Sequence, residues 1–229
     1  MNLKIDQGSL TKGQTALLNS SAKQVLLAGG YGAGKTLALC LKILQLKAIN
    51  KGVPGLLVAP TRPLLFSVTV RCLMGMLQRS VGREHLPKLR SPMTECYLDF
   101  GDGVPLFLRS ATRPDSIDGL DVGWACGDEI RYWSHESYNV TLGRVRVKCP
   151  MSQKAFVSTP SMNWMAEEFH SGKPERMLLV TGTKDNEHNL APGFIDNLRE
   201  SYSPRMQRAV IDGEFCILEG AVFEHFDSS

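Results

Sequence analysis

The feature that most constrains the fold of this chain is the segment GGYGAGKT, from Gly29 to Thr36. It satisfies the phosphate-loop pattern G-x-x-x-x-G-K-[ST] without a mismatch. An apolar run that ends in glycines precedes it over residues 23–30, and a segment with the apolar pattern of a buried helix follows it as far as Ile49. A strand, this loop and a helix in that order predict the nucleotide-binding unit of an α/β protein.

Each residue type in this loop has a physical role in holding phosphate. Glycines let backbone N–H groups curl around phosphate oxygens, and the N-terminus of the next helix adds a favourable dipole. We expect Lys35 to reach the β- and γ-phosphates of ATP and Thr36 to ligate Mg²⁺, so ATP and Mg²⁺ are the predicted cofactors. The predicted nucleotide-binding residues of the loop are Gly29, Gly30, Tyr31, Gly32, Ala33, Gly34, Lys35 and Thr36.

Further apolar runs with the length of buried strands alternate with helical patterns. The predicted strands cover residues 55–60, 122–126, 154–158 and 177–181, and the predicted helices cover 64–78, 191–202 and 204–210. Two more runs, 95–100 and 104–109, flank a glycine-containing turn and predict a β-hairpin. The alternation predicts an α/β fold with a mostly parallel central sheet flanked by helices. Together with the phosphate-loop motif, it resembles a P-loop NTPase of the RecA/ASCE-like type.

Composition limits the classes of function. The 229 residues are 43% hydrophobic and 21% charged, as in a soluble globular protein with one large domain. The formal net charge of +3 is too weak by itself to indicate nucleic acid or a membrane. No run of about 18 uncharged apolar residues occurs, so we expect no membrane partner. The six scattered cysteines include no CxxC pair, which argues against a disulfide scaffold or a zinc site.

A pair of adjacent carboxylates follows the predicted strand in VGWACGDEI, residues 122–130. The carboxyl end of a strand is the usual ligand-binding edge of an open α/β sheet. We expect Asp128 to hold the Mg²⁺ shell and Glu129 to position and polarise the attacking water. An acid in that second position favours a nucleotide hydrolase over a small-molecule kinase, although two adjacent acids alone also suit a solvated loop.

Two weaker patterns complete the predicted site. In VSTPS, a strand ends in Ser158 and Thr159 before Pro160. Either hydroxyl is a candidate contact for the γ-phosphate or for the attacking water. The simpler interpretation is that these are ordinary turn residues at the end of a strand. Gln14, just before the first strand, carries an amide that is able to pair with adenine, or else lies exposed at a helix cap.

The ordered set of motifs resembles the ATPase domain of the large terminase subunit of tailed bacteriophages and related viruses. The resemblance runs from Gln14 to Phe226, and the phosphate loop alone would fit many hydrolases. The more specific signs are the Asp–Glu pair, STP about thirty residues later, TGTKDNEHN at 181–189, and DGEF at 212–215 before EGAVFEHFD. The resemblance implies an ATPase that drives double-stranded DNA into a procapsid.

The resemblance also implies roles for individual residues. Lys35 and Glu129 are implied to be catalytic, Thr36 and Asp128 to bind the metal, and Gln14 to read adenine. Ser158, Thr159 and Pro160 resemble the motif that couples hydrolysis to movement. Asp185-Asn186 stands where the family commonly has an Asp-Asn pair.

An arginine is expected to stabilise charge during phosphoryl transfer, but the sequence does not identify it. Tyr31 and Ala33 stand in the phosphate loop where some family members carry a basic residue. Asp118-Gly119 also stands where many members have Arg-Gly. We favour Arg113 or Arg109, because their loop comes just before the Asp–Glu strand. The full set of candidates is Arg62, Arg109, Arg113, Arg131, Arg144 and Arg146.

The same resemblance implies the partners and the domain plan. It implies double-stranded DNA, a homo-oligomeric ring, a portal protein and a small terminase subunit, in the cytoplasm of a bacterial host and at the procapsid during packaging. Residues 1–215 are expected to form the ATPase domain and 216–229 a linker toward an absent nuclease domain, so nuclease activity is not expected. A helicase-like DNA-dependent ATPase, or a nucleotide-binding adaptor without turnover, remains the alternative.

Overall fold

The protein is described by a computed structural model that covers residues 10–91, 95–170 and 172–216. Eight strands form a single sheet in the order β3-β4-β5-β2-β6-β7-β1-β8. They are β1 Gln24–Gly29, β2 Gly55–Ala59, β3 Lys88–Arg90, β4 Tyr97–Asp99, β5 Pro105–Ser110, β6 Trp124–Gly127, β7 Lys154–Ser158 and β8 Arg176–Thr181. The predicted linker beyond residue 216 lies outside the described residues.

The sheet is mostly parallel, which confirms the predicted fold class. β5, β2, β6, β7, β1 and β8 run parallel, and β3 and β4 add an antiparallel edge. The predicted hairpin is present as β4 and β5. The prediction missed β3, because its three residues are all exposed and give no apolar run.

Nine α-helical segments lie among the described residues. They are α1 Lys12–Asn19, α2 Lys35–Ile49, α3 Arg62–Leu64, α4 Arg71–Val81, α5 Asp115–Asp118, α6 His135–Arg144, α7 Trp164–Phe169, α8 Phe194–Ser201 and α9 Pro204–Val210. A π-helical segment, Leu65–Val70, joins α3 to α4, so the predicted helix over 64–78 is present but irregular. α1, α5, α6 and α7 were not predicted: α1, α5 and α7 are short, and α6 is polar along much of its length.

The sheet separates two apolar layers because successive strand residues face opposite sides. Val25 and Leu27 of β1 pack in the layer formed with α2 and α4. Leu26 and Ala28 face the other layer, which α5, α6 and α7 cover. Both faces of the central strands are therefore buried, and polar side chains are left to the strand ends, where the site lies.

The continuous helical stretch of residues 62–81 has the length and composition of a membrane span, the one such stretch among the residues in the described ranges. It carries Leu73, Met76 and Leu77 into the first apolar layer. The core helix of a globular protein passes the same test of length and composition.

Candidate functional site

The phosphate loop leaves β1 at Gly29 and enters α2 at Lys35, as predicted. Gly32 and Gly34 take positive φ values of 72° and 78°, which side chains disfavour. The Lys35 ammonium donates to the carbonyl oxygens of Gly29 at 3.0 Å and Gly30 at 2.8 Å. Burial lowers the pKa of Lys35. The first N–H groups of α2 have no partner within the helix, so the loop presents donors and a cation to an anion.

Residues from the far end of the chain hold this loop in shape. The Tyr31 N–H donates to the Val210 carbonyl at 2.6 Å. Thr183 Oγ1 donates to the Tyr31 carbonyl, and Asn186 Nδ2 to the Gly32 carbonyl, each at 2.7 Å. The Asp185-Asn186 pair thereby gains a physical role, because Asn186 fixes the loop and Asp185 accepts the Gly182 N–H at 2.9 Å.

Gly213 of the DGEF motif packs directly against the start of the loop. Its φ is 75°. A Cβ placed there would lie 2.4 Å from the Thr181 carbonyl oxygen and 2.9 Å from Gly29 Cα. Only glycine fits both the backbone conformation and the space, which explains this glycine in structural terms.

Asp128 follows β6 and lies opposite the phosphate loop. Its Oδ2 accepts from Thr69 Oγ1 at 2.6 Å and lies 3.5 Å from Thr36 Oγ1. Burial, as the largest cause, raises the pKa of Asp128 to about 6. Its buried Oδ1 has no hydrogen-bond partner among the residues described. Oxygen ligands suit Mg²⁺, so a carboxylate with one unpaired oxygen, on a residue whose other oxygen lies near Thr36, fits a metal shell.

Glu129 has a φ of 44°, in the left-handed region that a non-glycine residue adopts at a cost. Its Oε2 lies 3.2 Å from Arg131 Nε and accepts the Thr159 N–H at 3.4 Å. The Arg131 guanidinium also lies over the Tyr31 ring, 5.7 Å from its centroid. The second acid, a cation and the phosphate loop therefore meet within one subunit.

The segment after β7 is bonded to the segment after β6. Ser158 Oγ accepts the Arg131 N–H at 3.1 Å, and Asn163 Nδ2 donates to the Arg131 carbonyl at 3.0 Å. Ser158, Thr159 and Pro160 are buried, and Thr159 Oγ1 is a buried hydroxyl with no partner in the described part of the chain. The predicted coupling motif thus contacts the Glu129 carboxylate directly.

Solved structures similar to this chain include bacteriophage large terminases. The large terminase of the thermophilic bacteriophage D6E aligns with a TM-score of 0.75 at 17% identity, over 95% of this chain and 56% of its own. The Thermus phage P74-26 large terminase ATPase domain aligns with a TM-score of 0.64 at 17% identity, over 94% of this chain and 100% of its own. The chain has the fold of a large terminase ATPase domain.

The HK97 bacteriophage large terminase shares this terminase fold, with a TM-score of 0.67 at 12% identity over 94% of this chain and 51% of its own. The D6E terminase has been solved in complex with ADP and with ATP-gamma-S. This chain spans 56% of the length of the D6E terminase. No family model matches the sequence, and no curated protein matches it.

Within this terminase fold, Gln14 is not exposed at a cap. It is buried, and its Oε1 accepts the Thr11 N–H at 3.0 Å in a capping box. Its Nε2 donates to the Gly34 carbonyl at 3.2 Å. Both ends of the amide are engaged, so Gln14 fixes the phosphate loop in this structure. Its reading of adenine stays a prediction.

Arg109 is held by backbone carbonyls in this structure. Its guanidinium donates to the carbonyls of Ser116, Cys96 and Leu108 at 2.7, 3.1 and 2.9 Å, and its catalytic role stays a prediction. A guanidinium has five N–H donors, so one arginine is able to satisfy several backbone carbonyls beside β5 at once. Sequence spacing does not reveal which way a strand side chain points.

Arg113 is exposed in the loop after β5. β2, β6 and β7 separate β5 from β1 in the sheet. Four strand spacings of about 4.8 Å put the two strands roughly 19 Å apart. Arg113 therefore lies well away from the strand that leads into the phosphate loop, and its catalytic role stays a prediction, whereas Arg131 is the candidate that meets Glu129 in its own chain.

Three further residues of the site were not identified in the sequence as contacts: Thr69, Thr183 and Asn163. Thr69 carries no motif of its own, since it enters the site through a π-helical turn. Thr183 lies inside TGTKDNEHN, so that motif was the signal for it. Asn163 follows STP by three residues and caps α7, with Oδ1 accepting the Met165 N–H at 3.0 Å.

Proposed function

We propose that this chain is an Mg²⁺-dependent ATPase and the motor domain of a large terminase, which drives double-stranded viral DNA into a procapsid. One observation carries the proposal. The Asp128–Glu129 pair lies at the same sheet edge as the phosphate loop, with only β7 between β6 and β1. The terminase fold supports the motor assignment, and the carboxylate arrangement supports hydrolysis.

The chain's own residues divide the work. The start of α2 and Lys35 bind the phosphates, for which Lys35 exchanges its bonds to the Gly29 and Gly30 carbonyls. Glu129 orients and polarises the attacking water while Arg131 and the Thr159 N–H hold its carboxylate. Asp128 and Thr36 would hold Mg²⁺, which when bound neutralises charge on the phosphates.

Ser158, Thr159 and Pro160 are proposed to carry the hydrolysis signal out of the site. A change in the position of Glu129 acts on Thr159, and a change in Arg131 acts on Ser158, through the hydrogen bonds that already join them. We propose that the motor works as a ring with a portal protein and a small terminase subunit, in the cytoplasm of a bacterial host at the procapsid.

The test is ATP turnover per chain as a function of chain concentration, with Glu129→Gln as the matched variant. Removing the carboxylate should lower ATP turnover by about 100-fold or more and leave ADP binding unchanged. Turnover that rises with concentration supports completion of the site by a neighbour. Turnover that Glu129→Gln leaves unchanged would contradict the assignment of Glu129, and absence of nucleotide binding would contradict the ATPase proposal itself.

A further inference from the structure

The helix that follows β2 is irregular where it passes the site. It runs as α3, then as the π-helical segment Leu65–Val70, then as α4. A π turn holds more residues than an α turn, so it shifts the residues after it around the helix axis by about 100° per inserted residue. Such segments are rare and are frequently found at functional sites, and this one lies beside the strand end that carries Asp128.

Thr69 is the polar residue that this π turn directs toward the phosphate side of the sheet. It is 1% exposed, and its Oγ1 donates to Asp128 Oδ2 at 2.6 Å. A threonine inside a helix commonly bonds back to a carbonyl of the preceding turn. Thr69 instead bonds across to the strand end that carries the acid pair.

The consequence is that the two oxygens of Asp128 are unequal. Oδ2 is occupied by Thr69 and lies 3.5 Å from Thr36 Oγ1, whereas Oδ1 is buried without a partner in the part of the chain described. A buried carboxylate oxygen left unpaired costs free energy, so its orientation needs a cause. The Thr69 hydroxyl supplies that cause by fixing the rotation of the carboxylate.

We propose that Thr69 is a positioning residue, which turns Asp128 so that Oδ1 and Thr36 Oγ1 together face the divalent cation of the bound nucleotide. This inference rests on the proposed function, because it concerns the metal of the ATPase site. The π-helical segment then places Thr69 within hydrogen-bonding distance of Asp128. Partners that orient a metal-binding carboxylate typically influence metal affinity without contacting the metal.

The test compares Thr69→Val, which removes the hydroxyl at nearly constant shape, with Thr69→Ser, which restores it. Thr141→Val is the matched control, because Thr141 is also fully buried and its Oγ1 donates at 2.8 Å to the Ser137 carbonyl inside α6. The readout is the affinity for a fluorescent ADP at increasing Mg²⁺ concentration, and again in EDTA. Thr69→Ala gives the same readout should the valine variant not fold.

We expect Thr69→Val to raise the Mg²⁺ concentration needed for half of the metal-dependent gain in ADP affinity by roughly tenfold. ADP affinity in EDTA should stay at the wild-type value, and Thr69→Ser and Thr141→Val should match wild type in both conditions. A purely structural role predicts an equal loss with and without Mg²⁺. That result, or a Thr69→Ser variant as impaired as Thr69→Val, would overturn the inference.

The same experiment separates this inference from the proposed function. A wild-type chain that binds no ADP, or binds it without any effect of Mg²⁺, overturns the proposed function and the inference together. A wild-type chain with normal Mg²⁺-dependent binding, combined with unchanged binding by Thr69→Val, overturns only the role of Thr69.

Discussion

Lys42 lies on α2 with no exposed surface, and it shows how single buried charges shape this protein's stability. Its Nζ donates to the carbonyls of Leu18 at 3.3 Å and Ser20 at 3.2 Å. Both carbonyls also accept from other donors, Gln45 Nε2 and Gln153 Nε2. Burial lowers the pKa of Lys42 to about 8. The buried charge of Lys42 therefore lowers the stability of the fold, and without Lys42 both carbonyls would still accept a hydrogen bond from a glutamine.

We expect Lys42→Met to raise the free energy of unfolding at pH 7 by about 1–3 kcal/mol. The native pKa lies below the ordinary lysine value of 10.5, so the cost of the charge is complete below about pH 8. The cost fades as the pH rises from about 8 to 10.5, and the gain from the substitution should fade with it. Urea denaturation across this pH range measures the difference, with the exposed Lys51→Met as control. A gain that is independent of pH would disprove the electrostatic origin.

Residue identity in the site was predictable where a motif fixes spacing and unpredictable where a distant element supplies the contact. Lys35 and Asp128 follow from strand-end motifs that the sequence displays. Thr69 does not, because its contact depends on a π turn that no local pattern announces. The carbonyl partners of Arg109 were unpredictable for a related reason, since they come from residues brought together only by the fold.

At the scale of elements, the buried strands were predictable because both of their faces are apolar. β2, for example, is buried at all five positions. The edge strand β3 and the polar helix α6 lack that signal, and tertiary pairing defines them. The connection between the segments after β6 and β7 also lies at this scale, since side chain to backbone hydrogen bonds join them.

Asn163 tests whether this connection matters for turnover. Asn163→Asp should remove the bond from Nδ2 to the Arg131 carbonyl and retain the α7 cap, whereas Asn163→Ala removes both. We expect both variants to lower ATP turnover by about fivefold, in line with the loss of one hydrogen bond of about 1 kcal/mol. Only Asn163→Ala should also lose stability, again about 1 kcal/mol.

Steady-state turnover and thermal denaturation of the two variants measure these effects side by side. Turnover that falls only in Asn163→Ala would assign the effect to the helix cap and contradict a role for the connection between the two segments.

At the scale of the whole molecule, the sheet order sets how far each candidate arginine lies from the acid pair. Arg131 lies beside Glu129 of its own chain, while Arg113 is exposed in the loop after β5, which β2 separates from β6. The order of strands is a property of the complete fold, so the sequence alone did not distinguish the two arginines.

Mixing two variants that each lack one group tests whether Arg113 acts on the site of a neighbouring subunit. Arg113→Ala retains an intact acid pair, and Glu129→Gln retains an intact Arg113. If Arg113 completes a neighbour's site, each variant alone should be at least about tenfold slower than wild type, and their mixture should recover part of the ATP turnover. The recovery should depend on chain concentration. An Arg113→Ala chain with normal turnover would exclude Arg113 from the reaction.

The braces of the phosphate loop have a consequence for the synthesis of the protein. Thr183 and Asn186 bond to loop residues 152 and 154 positions earlier in the chain, and Val210 and Gly213 pack there as well. A growing chain therefore makes its phosphate loop before it makes the residues that support that loop. If the loop binds ATP as proposed, we expect that affinity to appear only after the supporting residues leave the ribosome.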